Sequence, residues 1–228
     1  MRCRAVSDMP AILLLLLIGV DLEAIAKNPG VAKVERVLPG EKLIVHVLDW
    51  HYVSKEALGK AEGLKGTKLD VEHAKLLEQV AAVHKSKLQV LTGVPEVFQE
   101  GLTDRNQAIV AAEIKSLAPY HTLLRRNGTE DSSHERTLLR LGAAAELLLD
   151  GKPIKLLPAE GAEHEANDSE KLDDARVKAR DGAIVKRIVA GGKTAFLILG
   201  GGHDLREAIT GQVGWGYVRV RPKEYPVQ

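Results

Sequence analysis

Three polar residues, far apart in the chain, each stand where a short apolar run stops: His51 in Leu48-Asp49-Trp50-His51, Glu100 in Val97-Phe98-Gln99-Glu100, and His203 in FLILGGGHDL, residues 196–205. Imidazole exchanges protons near neutral pH, and a carboxylate beside it fixes its tautomer and raises its basicity. Asp49 precedes His51 by two residues, so a strand continued to that point would turn both to one side. Gly200, Gly201 and Gly202 dispense with three Cβ atoms in a row, which permits a tight turn out of a strand and lets a ligand or another strand come close to the backbone. The same segments have plainer readings. Asp49 or Glu100 would then cap the next element, and the glycines would make an ordinary strand-to-helix turn. No GK[ST] follows the glycines, so they are not a phosphate-cradling loop.

What positions these residues is an alternation of short apolar runs with longer amphipathic ones. Strands are expected at 43–48, 94–99, 153–157, 194–199 and 216–220. Between them, Asp70 is expected to cap a helix through Val80 and Leu91, and Thr103 or Asp104 another through Ile109 and Leu117. Ser133 opens a helix to Leu149, and Asp168 caps a charged helix reaching about Val189. Residues 125–133 are polar, contain Asn127-Gly128-Thr129 (a glycosylation sequon), and are expected to form a loop. Strands separated by helices predict a single α/β domain, with a mostly parallel sheet of about five strands and helices on both faces. In such sheets ligands bind beyond the carboxyl ends of the strands. His51, Glu100, Glu160 and His203 all fall there. Of the other histidines, His46 is expected inside its strand, His73 and His84 in packing or boundary positions, and His121, His134 and His164 in solvated loops. The charged run from Glu163 to Arg180 is expected to be mostly a wet helix face.

The bulk composition narrows the classes. With 228 residues, 32 of them basic and 31 acidic, the chain announces no basic face for nucleic acid and no acidic tail. Arg2 and Arg4, the apolar run 11–20 and the small residues of Ala24-Ile25-Ala26 together predict a signal peptide over residues 1–26, cleaved after Ala26, with a mature domain at 27–228. Ten apolar residues are too few to span a bilayer core of about 30 Å, so no stable membrane insertion is expected after cleavage. The product would be exported, to a periplasm or the extracellular space. Cys3, the only cysteine, would leave with the leader, which removes disulfides, thiol catalysis and zinc–thiolate sites from the mature protein.

The ordered set of strand-end residues resembles the superfamily of Tiki/TraB proteins, ChaN-like haem-binding lipoproteins and erythromycin esterases, whose pattern is a G-x-x-H, a strand-closing Glu, a helix Arg and a second G-x-x-H. Gly200-Gly201-Gly202-His203 fits the second motif in full, Phe98-Gln99-Glu100-Gly101-Leu102 is similar to the Glu segment, and Arg180-Asp181 sits where the helix arginine is expected. The first motif departs, with Leu48 in the glycine position, although Asp49 resembles the acidic residue of the ChaN-like form.

The resemblance implies an exported hydrolase of peptide or ester bonds, acting on a small-molecule or peptide substrate. His51, Glu100 and His203 would be its catalytic residues and, if a divalent ion (Mn, Co, Zn or Fe) is held, its metal ligands, with Arg180 steadying transition-state charge. A metal-free version has one histidine as general base and the Glu orienting it. Asp49, Tyr52 and Gly200 to Gly202 would line the cofactor or substrate space. The alternatives are a haem- or iron-binding protein with Tyr52 or His51 as axial ligand, and a relative without turnover, which the Leu48 departure suggests.

Overall fold

The computed structural model describes residues 20–162 and 174–226. Six strands form one sheet: β1 (Val31–Leu38), β2 (Lys42–Asp49), β3 (Glu96–Thr103), β4 (Lys155–Glu160), β5 (Ala195–Gly200) and β6 (Trp215–Pro222). Their spatial order is β1-β6-β2-β5-β3-β4. All neighbours are parallel except β1 and β6, so an antiparallel edge closes a parallel sheet.

Parallel strands need helical crossovers, and these cover both faces. The connection from β2 carries α2 (Lys55–Glu62) and the long α3 (Gly66–Leu91) over to β3. Then α4 (Gln107–Asn127), α5 (Ser132–Leu141) and α6 (Ala143–Leu149) lead to β4. Val90, Leu91, Ala143 and Leu147 from this layer pack on Val45, Val47, Val97 and Ile198 of the sheet. The opposite face takes α7 (Asp174–Ala190) and α8 (Arg206–Thr210), whose Ile184, Ile188 and Ile209 bury Ile44, Leu197 and Leu199. Along β2 the alternation is strict: Leu43, Val45 and Val47 face one layer and Ile44 the other, as two-sided burial requires.

The path runs outward from β2 past β5 to β3 and β4, then returns through α7 to β5 and β6. β2, β5 and β3 are therefore adjacent, and their carboxyl ends open together at the point where the chain reverses direction across the sheet. A short α1 (Leu22–Ala26) precedes β1, with Leu22 and Ile25 packed against the core. No helix among the described residues is long and apolar enough to cross a membrane.

Several sequence expectations are corrected. The edge strand β1 is additional; it is half-exposed and mixed in polarity, so it carries no clean alternation. Helix α3 begins at Gly66, so Asp70 lies inside it and pairs with Lys55 rather than capping. Asn106 stands at the head of α4, while Thr103 ends β3 and Asp104 pairs with Arg187. Of the segment 125–133 only residues 128–131 are loop, because α4 runs to Asn127 and α5 starts at Ser132. The helix expected from Ser133 to Leu149 is broken at Gly142, whose φ of 89° places it against the Gln99 amide, where an added Cβ would stand at 3.3 Å. Glu163, His164 and the expected cap Asp168 lie outside the described residues.

His46 is fully buried within the sheet, as expected. Its Nε2 lies 2.8 Å from the Leu199 carbonyl and its Nδ1 2.7 Å from the Tyr217 hydroxyl. A carbonyl only accepts, so Nε2 carries the hydrogen and Nδ1 accepts from Tyr217. Burial drives the pKa of His46 down to about 4, leaving the ring neutral. Tyr217→Phe would strand a buried acceptor and is expected to cost about 1–3 kcal/mol. Urea unfolding should show an earlier midpoint with an unchanged slope; unaltered stability would refute the buried Tyr217–His46 hydrogen bond.

Candidate functional site

The carboxylate of Glu100 joins the three strand ends. Oε2 accepts the Gly200 amide at 2.7 Å and faces His51 Nε2 at 3.1 Å. Oε1 accepts from the Arg180 guanidinium at 2.8 Å and faces His203 Nε2 at 3.5 Å. Glu100 reaches this position because β3 does not stop there. A register irregularity against β4 between Gln99 and Thr103, with Gly101 at φ 76°, bends the strand as it continues. Phe98 packs on the α7 side while Gln99 reaches the Leu141 carbonyl on the other, so alternation sends Glu100 toward α7 and its Arg180.

Each histidine has a second carboxylate at its far nitrogen. Asp49 Oδ2 lies 3.2 Å from His51 Nδ1, and Asp181 Oδ1 2.6 Å from His203 Nδ1. Asp49 faces the α3 layer, where the buried Lys87 pairs with it. Arg180 also bonds Glu160 at 2.7 Å, and Glu160 accepts the Gly101 amide at 2.8 Å, tying β3 to β4 below the bend. Four cationic side chains thus interleave with four carboxylates.

This interleaving sets the proton affinities. Burial opposes charge on His51, but Asp49 and Glu100 outweigh it and push the pKa up to about 10. Burial likewise opposes charge on His203, and Asp181 and Glu100 raise it to about 9. Burial disfavours the Glu100 and Asp49 anions, yet their cationic neighbours hold both far below the usual carboxylate range. At neutral pH both imidazoles are protonated, and both carboxylates are ionised.

The glycines serve proximity rather than turn geometry. None of Gly200, Gly201 and Gly202 has positive φ. A Cβ on Gly200 would stand 2.6 Å from His51 Nε2, and one on Gly201 1.9 Å from the Tyr225 hydroxyl, whereas one on Gly202 would meet nothing within 4 Å. Two of the three positions are bare because side chains occupy that space. Two cavities flank His51, whose side chain is half-exposed. One of about 480 Å³ is lined by Trp50, Val53, Leu76, Val177, Gly200 to His203 and Tyr225. The other, of about 120 Å³, is lined by Tyr52, Lys87, Glu100, Leu139 and Gly142.

The sequence-selected residues His51, Glu100, Arg180, His203, Asp49 and Gly200 to Gly202 come together. Tyr52 is apart, bordering only the smaller cavity. The donor set does not fit one shared metal ion: the two oxygens of Glu100 address different imidazoles, Arg180 already occupies Oε1, and both nitrogens of each ring face carboxylates. Among the described residues no three His, Cys, Asp or Glu side chains gather as metal ligands. Haem fits no better, since His51 has no ring nitrogen turned away from a carboxylate and Tyr52 borders only the 120 Å³ space. Arg180 neutralises Glu100 and Glu160 rather than facing an open position.

The chain matches no family model, no curated protein and no solved structure.

Lys87 and Tyr225 escaped the sequence reading. Lys87 shares the buried stripe of α3 with Val80, Val83, His84, Val90 and Leu91. A lysine at core spacing is the signal that could have found it. Tyr225 follows the last strand and has no such signal. Glu160 and Asp181 were in view, as a strand-end acid and the neighbour of Arg180, and both prove to be partners of the cluster.

Two outcomes follow from this geometry. Gly200→Ala should push the His51 ring off Glu100 and lower the His51 pKa from about 10, while Gly202→Ala leaves it unmoved; imidazole NMR titrations read both, and an equal response of the two variants would refute the proximity role. The second concerns stability. Histidines with raised folded-state pKa stabilise fully below about 6.5, and that contribution fades as pH rises through the folded values, here about 9 and 10. The depressed Asp49 and Glu100 contribute above about 4 and lose that only in strong acid. Melting temperature should therefore decline from pH 7 to 10, and the decline should shrink in His203→Gln. An equal decline in both proteins would show that these imidazoles do not cause it.

Proposed function

We propose that the protein is an exported hydrolase that cleaves an ester or peptide bond by attack of water, using His51 and His203 as its proton-transfer pair without a resident metal. The observation that carries this reading is a pair of imidazoles, His51 and His203, that share the carboxylate of Glu100 and both line a cavity of about 480 Å³. Two like groups in unequal environments separate into an acid and a base when the pair holds one proton.

The chemistry runs in that singly protonated state. His203, with the lower pKa, is the neutral partner; it takes a proton from water as the water oxygen bonds to the substrate carbonyl carbon. The His51 imidazolium gives its proton to the leaving oxygen or nitrogen as the carbon–leaving-group bond breaks. Solvent then returns a proton to His51 and takes one from His203, restoring the pair. Asp181 and Asp49 orient the rings, Lys87 positions Asp49, and Arg180 positions Glu100. For a ring to act as base, the Glu100–His203 contact must open to water; at 3.5 Å it is the longer of the two imidazole contacts of Glu100. The basic and apolar start of the chain supports export, and every residue of this cluster lies beyond Ala26, so leader cleavage would spare it.

For hydrolysis of a p-nitrophenyl ester or a chromogenic peptide, kcat/KM should rise about tenfold per pH unit from 7 toward 9, as the first proton leaves the pair. It should fall again above about 10, where His51 also loses its proton. Asp181→Asn removes the carboxylate that raises His203 and should move the rising limb to lower pH. His203→Ala should abolish turnover, and exhaustive dialysis against a chelator should leave it intact. A rate that falls between pH 7 and 9, or one lost on chelation, would sink the proposal.

A further inference from the structure

A second set of titratable side chains lies in the helical layer. His121 and His134, expected in solvated loops, are buried on α4 and α5. His121 Nε2 lies 2.9 Å from Asp150 Oδ1, so Nε2 carries a hydrogen and donates it. His121 Nδ1 lies 2.9 Å from His134 Nε2. One hydrogen fits between those two nitrogens. The pair tolerates one added proton, with either ring as donor to the other, but two imidazoliums would set two N–H groups head to head.

The surroundings do not relieve that conflict. On α6, Glu146 is engaged by His84 of α3 at 2.7 Å and by Arg125 of α4 at 2.6 Å, and Arg125 also reaches Asp150. Asp131, before α5, caps the Ser133 amide at 2.8 Å and accepts the Tyr120 hydroxyl at 2.5 Å. Lys85 on α3, Glu130 before α5 and Glu135 on α5 border the same groove of about 530 Å³. Burial is the leading influence on His134 and lowers its pKa, and a charged His121 works in the same direction.

Helix α5 carries more than this contact. Its Leu139 lines both the groove and the 120 Å³ cavity that His51 and Glu100 border, and Arg140 and Gly142 line that cavity too. α5 is thus the partition between the two spaces. It is pinned to α4 by the His121–His134 contact, by Tyr120 on Asp131, and by Arg140 on Glu113.

We propose that α5 is a gate on the back of the His51–Glu100 cluster, latched by the single hydrogen between His121 and His134 and released when both rings are protonated. The inference builds on the proposed site, but its test needs no turnover. Acidification separates α5 from α4 and opens the smaller cavity to the groove. Asp49 and Glu100 keep their charge there, because both titrate in far stronger acid.

Hydrogen exchange of the full chain, corrected for intrinsic rate, is expected to quicken in α5 by about tenfold or more from pH 7 to pH 5 while β2, β3 and β5 stay protected. His134→Gln keeps a hydrogen-bonding side chain that does not titrate, and its α5 exchange should be the same at both pH values. Should that variant not fold, His121→Asn removes the other half of the pair and carries the same expectation. Unchanged α5 protection in the native chain, the same acceleration in the variant, or an acceleration shared equally by the central strands would each overturn the gate. Absence of ester or peptide hydrolysis with an intact acid response of α5 would instead count against the proposed reaction.

Discussion

A carboxylate taken out of water must be compensated on nearly every lone pair, and Glu100 shows how far that demand organises this molecule. Its side chain accepts one amide and one guanidinium and faces two imidazoles, drawn from β5, α7 and the segments following β2 and β5. Removing any one partner leaves the largely buried Glu100 carboxylate short of a compensating group. Each partner needs its own counter-charge, which brings Asp49, Asp181 and Glu160, and Asp49 in turn brings Lys87 out of the apolar face of α3. The cluster is a chain of obligations ending at balanced charge.

Sheet order makes that chain possible. β2, β5 and β3 are neighbours in space although β5 is late in sequence, and the β2–β5 register sets Asp49 beside Gly200. With side chains at 200 and 201, the His51 ring and the Tyr225 hydroxyl could not stay where they are. The glycines are therefore a steric condition on the electrostatics: the imidazole approaches Glu100 across a backbone that has made room for it.

Much of this was legible in the sequence, and the remainder was hidden for a physical reason. His51, Glu100 and His203 could be selected because a polar residue closing an apolar run sits at a strand end, and parallel strands put those ends together. The two-sided burial of β2 and β5 was equally visible as continuous apolar text. What failed were inferences from polarity alone. The segment around Arg125 and His134 looked like solvated loop, and most of it is exposed, yet His134 is buried against His121 and Arg125 reaches the buried Glu146, in a set of polar contacts that joins four helices. Polarity reports a need for partners and does not say whether water or protein supplies them. Lys87 stood at core spacing on α3, a signal that a buried charge is present, but its role is legible only once its counter-charge, 38 residues earlier, is known to stand opposite.

The histidines make the same point within one residue type. His46, enclosed by apolar side chains and offered a carbonyl and a hydroxyl, is held neutral. His51 and His203, each between two carboxylates, keep their protons well above neutrality. His134 shares a contact with another imidazole and binds its proton less readily than in water. Intrinsic basicity is common to all of them, so the differences come from what each ring nitrogen faces. A carboxylate stabilises the proton, a carbonyl fixes a tautomer, and a second imidazole leaves room for only one proton between two rings. The fold therefore places imidazoles that hold their protons into alkali at the strand ends and, in His134, one that binds its proton less readily among the helices, with α5 as the element common to both.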